Sequence, residues 1–199
     1  MNNPWDVLPK EPKGDDNINV LYAAVGRALS QWESLESVLG SIFARLCQSD
    51  SEAPARAYGT IVSAKGRIDL LREAFACHPA RKTVDLQGLP KLLDHVGHFG
   101  SRRNEIAHGI AMNLAYNHDD QGCFLCPARY NSKKHFSDTS KTEALNAVPA
   151  PTDLEWMWGK YTYNSTQIGY YTARFCELDN RATHFLSALW RWDAEQKQD

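Results

Sequence analysis

Nowhere does the chain carry an apolar run approaching the roughly 20 residues that a membrane-spanning helix needs. The stretch Met1–Lys13 is polar and has no apolar centre, so no secretory signal is expected and the expected location is the cytoplasm. A disulfide framework is missing too. The five cysteines (Cys47, Cys77, Cys123, Cys126, Cys176) are an odd number and three fall in helical patterns, which fits reduced thiols. Charge of one sign is also missing: the net charge of −2 gives no overall pull toward nucleic acid. A Gly-rich phosphate loop, a His-Glu-x-x-His pair and a Gly-x-Ser-x-Gly elbow are absent, which argues against an ATPase, a zincin and an α/β-hydrolase. No internal repeat is visible.

What remains is an ordinary globular composition, 43% hydrophobic and 23% charged over 199 residues, enough for one domain with a real core. The charges are unevenly spread. Between Arg56 and Arg103 there are nine basic and four acidic residues, a local excess that suits either phosphate binding or a plain solvated surface.

Residues 1–16, with Pro4, Pro9 and Pro12, read as an irregular lead-in to a single helical domain over 17–195. A long helix follows, its apolar residues running from Ile18 to Leu46 at helical spacing, with Asp16 as the expected N-cap. The second helix carries Tyr58, Ile61, Val62, Ile68, Leu71 and Phe75 and stops before Pro79. A third runs from Leu89 to Ile110, with Pro90 tolerated in its first turn. Gly97 and Gly100 suggest close approach to a neighbouring helix, and Gly109 weakens the helix end. Residues 112–163 read as a β-hairpin-like insertion of short strands around a long loop, with 137–153 its loosest part. Asn164 and Gln167 then form a capping-box pattern for the last helix. The expected fold is mainly α, a bundle of about four long helices with this small insertion.

The chemistry concentrates in Ser101-Arg102-Arg103-Asn104-Glu105-Ile106-Ala107-His108-Gly109. Histidine moves protons near neutral pH. Arginine offers a fixed fork of donors to phosphate oxygens, and asparagine can orient the imidazole or a substrate hydroxyl. Asn104 and His108 share a helix face, whereas Arg103 lies about 140° round from His108 on 3.6-residue geometry. The two converge only through arginine reach, a distorted helix end or a partner subunit. On residue pattern alone, a structural ion pair for Arg103 and a helix-end cap for His108 are the favoured reading.

The string Arg103-Asn104-Glu105-Ile106-Ala107-His108-Gly109 resembles the signature of the HEPN superfamily (higher eukaryotes and prokaryotes nucleotide-binding domain). Like that signature, it has arginine, a polar neighbour, three residues and histidine, late in a helix. The order of elements is also similar to bacterial members: an early helix with Trp32 and Glu36, a second with Lys65 and Leu70-Leu71, then the motif, then Tyr161-Thr162-Tyr163 and a final helix. The resemblance implies a metal-independent endoribonuclease without cofactor, a symmetric homodimer whose two motifs face one cleft. In it the RNA 2′-hydroxyl attacks the adjacent phosphate and leaves a cyclic phosphate. It implies catalytic roles for Arg103, Asn104 and His108, with Arg102 as substitute or assistant. It also implies a place in toxin–antitoxin or antiviral defence, with an antitoxin or regulatory partner. The alternative is a non-catalytic module of the same kind that binds a protein or nucleotide.

Other groupings were weighed. Cys123 and Cys126, with His118 and His135, have the number of ligands for zinc. On a strand, however, the two cysteines point to opposite faces. Glu36 lies beside the buried stripe of its helix and needs a partner, for which Lys65 is the candidate. Such a pair either supports the site or is a structural salt bridge. His95 and His98 lack further metal ligands. Trp156, Trp158, Tyr161 and Tyr163 either stack RNA bases or form a half-buried strand face.

Overall fold

A computed structural model describes residues 3–116, 119–128 and 161–197. The fold is mainly α with one small antiparallel hairpin. In chain order the elements are α1 (Ile18–Leu46), α2 (Ala53–Thr60), α3 (Ala64–Cys77), two short 3-10 turns, α4 (Leu89–His108), β1 (Gly109–Tyr116), β2 (Asp119–Pro127) and α5 (Ser165–Gln196). The expected members at 118, 130, 135, 137–153, Trp156 and Trp158 lie outside the described residues.

The chain divides into two compact units. The first holds residues 1–29 and 102–171, and the second 30–101 and 172–199. Each takes part of α1, α4 and α5.

In the first unit the hairpin pairs Gly109 with Pro127 through Tyr116 with Asp119, with a register shift between Leu114 and Ala115. The lead-in is stitched to the far edge of β2. Gly14 donates to Gln121 O at 2.8 Å, and Asp15 and Cys123 exchange backbone hydrogen bonds at 2.9 and 2.7 Å. Glycine is required at 14 because a Cβ there would lie 2.5 Å from the Cys123 carbonyl oxygen. Gly122, at φ +88°, occupies the left-handed region that lets β2 bend at that point. The start of α5 is closed as its capping box predicts: Gln167 N–H donates to Asn164 Oδ1 and Asn164 N–H to Gln167 Oε1, both at 3.0 Å. The expected cap of α1 changes by one residue. Asn17 Oδ1 receives the Asn19 N–H at 2.8 Å, while Asp16 pairs with Lys13 in solvent.

In the second unit the expected second helix is two. Ile61 is extended and ends α2, and Ser63 caps α3 by accepting the Gly66 N–H. Val62 between them is 98% exposed, so its apolar side chain belongs to no helical stripe. A Cβ at Gly97 would lie at an ordinary 3.4 Å from Ile68 Cδ1 and one at Gly100 would meet nothing within 4 Å, so neither glycine is required by the close approach expected of it. The core of this unit includes Trp32 edge-on to Phe175 (5.0 Å) and Phe99 edge-on to the same ring (6.1 Å).

Candidate active site

The motif occupies the last two turns of α4, within the first unit. Ile106 faces the core at 1% exposure. Asn104 and His108 are exposed and Arg103 is half-buried. The Arg103 guanidinium turns toward Asn104, its Nη1 donating to Asn104 Oδ1 at 3.4 Å. Asn104 and His108 stand one turn apart on one face. His108 is the last helical residue, among the final carbonyls that lack intrahelical partners. Gly109 lets the chain pass directly into β1, since a Cβ there would lie 2.5 Å from Leu125 Cγ.

Arg102 points elsewhere. Its Nη2 pairs with Glu105 Oε1 at 2.9 Å, the two side chains being 11% and 9% exposed. The other Glu105 oxygen accepts the Tyr163 hydroxyl at 2.5 Å, and the Tyr161 hydroxyl donates to the Glu105 backbone carbonyl at 3.3 Å. Both tyrosines are fully enclosed and their rings stack at 5.2 Å. Burial, reinforced by the Glu105 charge, drives both phenols well above the ordinary tyrosine range. They therefore stay protonated and act as donors. Tyr163 also bridges to β2 through paired backbone bonds with Leu125, at 2.8 and 3.1 Å. These enclosed rings offer no face to stacked bases, which corrects the base-stacking alternative for Tyr161 and Tyr163.

Sequence reasoning passed over Glu105, and it named Tyr161 and Tyr163 without seeing them as partners of Glu105. Glu105 looks like an ordinary helical carboxylate until Tyr161 and Tyr163, read as alternate residues of a strand, are brought beside it.

Glu36 and Lys65 belong to the second unit. Lys65 is exposed in the first turn of α3 and is not the partner of Glu36. That partner is Arg67, at 3.0 Å. Glu36 also accepts from Tyr58 Oη at 3.2 Å and Trp32 Nε1 at 3.3 Å. Two residues further along α3, Arg67 also reaches back to the Ile61 carbonyl at 2.7 Å, so it spans the break between α2 and α3. Within the uneven basic excess, Arg72 likewise engages Asp69 and Asp94.

Cys123 and Cys126 are both buried in β2. Burial pushes the Cys126 thiol up to about 12. Burial, with the carboxylates of Asp120, Asp15 and Asp16, also raises Cys123. Both shifts oppose the thiolate that zinc requires. Among the described residues no group of three or more His, Cys, Asp and Glu side chains is arranged to hold a metal ion; His118 and His135 are not among them.

No helix among the described residues is long and apolar enough to cross a membrane. No protein family, curated protein or solved structure matches the chain. The likeness to HEPN proteins therefore rests on residues 103–109 and the order of elements around them.

Proposed function

We propose that the chain is a HEPN-type, metal-independent endoribonuclease acting as a homodimer, with Arg103, Asn104 and His108 as its catalytic residues. One observation carries the reading: the Arg103 guanidinium is drawn onto the Asn104 amide oxygen, on the exposed face that Asn104 shares with His108. A phosphodiester approaching that face meets a cationic fork, an amide and an imidazole together. The RNA 2′-oxygen forms a bond to phosphorus and the P–O5′ bond breaks. His108 moves a proton between these oxygens, and Arg103 balances charge on the phosphoryl oxygens. The products are a 2′,3′-cyclic phosphate and a free 5′-hydroxyl. A nuclease of this kind fits a toxin or defence effector held in check by a partner protein.

The test is incubation of the purified full chain with mixed-sequence RNA in excess EDTA. Cleavage with cyclic phosphate ends, lost in His108→Ala and Arg103→Ala, supports the reading. Chelator-sensitive activity, or full activity in His108→Ala, overturns it. An inert wild-type chain points instead to the non-catalytic binding module.

A further inference from the structure

We infer that Glu105, clamped by Tyr163, Tyr161 and Arg102, is a positioning residue that fixes the final turn of α4 and so the aim of His108 and Arg103. The activity arm of this inference rests on the ribonuclease reading; its structural arm does not.

The last four carbonyls of any α-helix lack intrahelical partners, so final turns fray unless something outside the helix holds them. Here the turn begins at Glu105 and ends at His108, and the chain then leaves as a strand. Three fastenings meet at its first residue. The Glu105 backbone carbonyl, one of the orphan acceptors, receives the Tyr161 hydroxyl. One carboxylate oxygen receives the Tyr163 hydroxyl, and the other pairs with Arg102 one turn back. The two tyrosines are themselves anchored, because the backbone of Tyr163 is hydrogen-bonded to β2 and the stacked rings are enclosed. Glu105 is buried, and the exposed Asn104 and His108 nearby on the helix are those of the proposed chemistry. The motif thus has two sides. Arg102 and Glu105 hold it from within, while Arg103, Asn104 and His108 work outside. Because catalytic geometry tolerates little displacement, loosening the inner side acts on the outer side without touching substrate.

The decisive variants are Tyr163→Phe and Tyr161→Phe, which each delete one hydroxyl inside an intact ring stack. Phe75→Leu, at a buried position of α3 in the second unit, serves as a control that loosens packing without touching the clamp residues or β2. In wild type and variants, kcat and KM for RNA are measured with EDTA, and the His108 imidazole resonance is followed by NMR across pH 5–8. The expected result is a fall in kcat of about 10-fold or more in Tyr163→Phe with KM unchanged. His108 should shift or broaden, while Phe75→Leu leaves both readouts at wild-type values. An unchanged His108 resonance in both tyrosine variants overturns the inference, as does an equal loss in the control. If wild type does not cleave RNA, the ribonuclease reading fails by itself, and the His108 resonance still decides whether the clamp holds the turn.

Discussion

Two carboxylates, buried Glu105 in the first unit and partly buried Glu36 in the second, are held by similar chemistry and differ in where their partners come from. Glu105 draws its arginine from its own helix, one turn away, and its tyrosines from the Tyr161–Tyr163 segment. Glu36 takes its arginine and tyrosine from α3 and α2, 31 and 22 residues along the chain, and only Trp32 from its own helix. The Glu105 pair is also the drier, with side chains at 11% and 9% exposure against 24% and 11% for Arg67 and Glu36. A dry local pair stiffens one helix end. A wetter long-range pair ties separate helices together across a break.

The comparison predicts a ranking of effects. Glu105→Ala strands a buried guanidinium and should cost about 3 kcal/mol of stability in urea unfolding. Glu36→Ala should cost less, about 2 kcal/mol, because water can reach Arg67. Equal losses would erase the distinction. Tyr163→Phe and Tyr58→Phe each remove one hydrogen bond to a charged acceptor and should cost about 1.5 kcal/mol, measured the same way.

Acid should separate the units further. His78 is buried in the second unit, with Nδ1 accepting the Ala80 N–H at 3.2 Å and its ring edge-on to Trp192 at 4.9 Å. Burial lowers its pKa below the ordinary 6.5, against a smaller opposing pull from Asp193. The unfolded chain therefore takes the proton first. The stability that neutral His78 contributes is complete above pH 6.5 and is lost as pH falls through that value toward the folded pKa. Hydrogen exchange between pH 7 and 5 should show residues 78–82 opening before the Glu105 turn. Simultaneous opening would remove His78 as the cause. The smallest effect is expected from Asp16→Asn, which breaks an exposed pair with Lys13 and should leave the melting temperature unchanged.

The parts of the fold governed by local chemistry could be read from the sequence. The 3.6-residue period placed α1, α4 and α5, although Ile110, read as the end of the motif helix, lies in β1 beyond His108, and the Asn164–Gln167 capping box marked the start of α5. Where competing local signals were close, the reading slipped. Ile61 and Val62 kept the apolar rhythm of a helix, yet Ser63 caps a new one. At the candidate site the outward residues were legible because their types announce chemistry. Glu105 was not, since its meaning depends on two tyrosines more than fifty residues away. The partner of Glu36 was mistaken for a similar reason. Lys65 and Arg67 differ by two positions on α3, and only the arginine has the planar fork to serve Glu36 and the Ile61 carbonyl at once.

The stitching of Asp15 to both β2 and Ser165 has a consequence for the order in which the molecule is made. A ribosome that has released the lead-in must extend the chain by 150 residues before Asp15 meets its partner at the start of α5. Until then the edge of β2 has its neighbour at residues 14–15 but lacks the Tyr163 bridge, and the motif helix has no clamp. Under the ribonuclease reading, the nascent chain would carry its catalytic side chains early and their alignment late. Such a delay would keep a damaging activity silent on the ribosome whose RNA lies nearest to it.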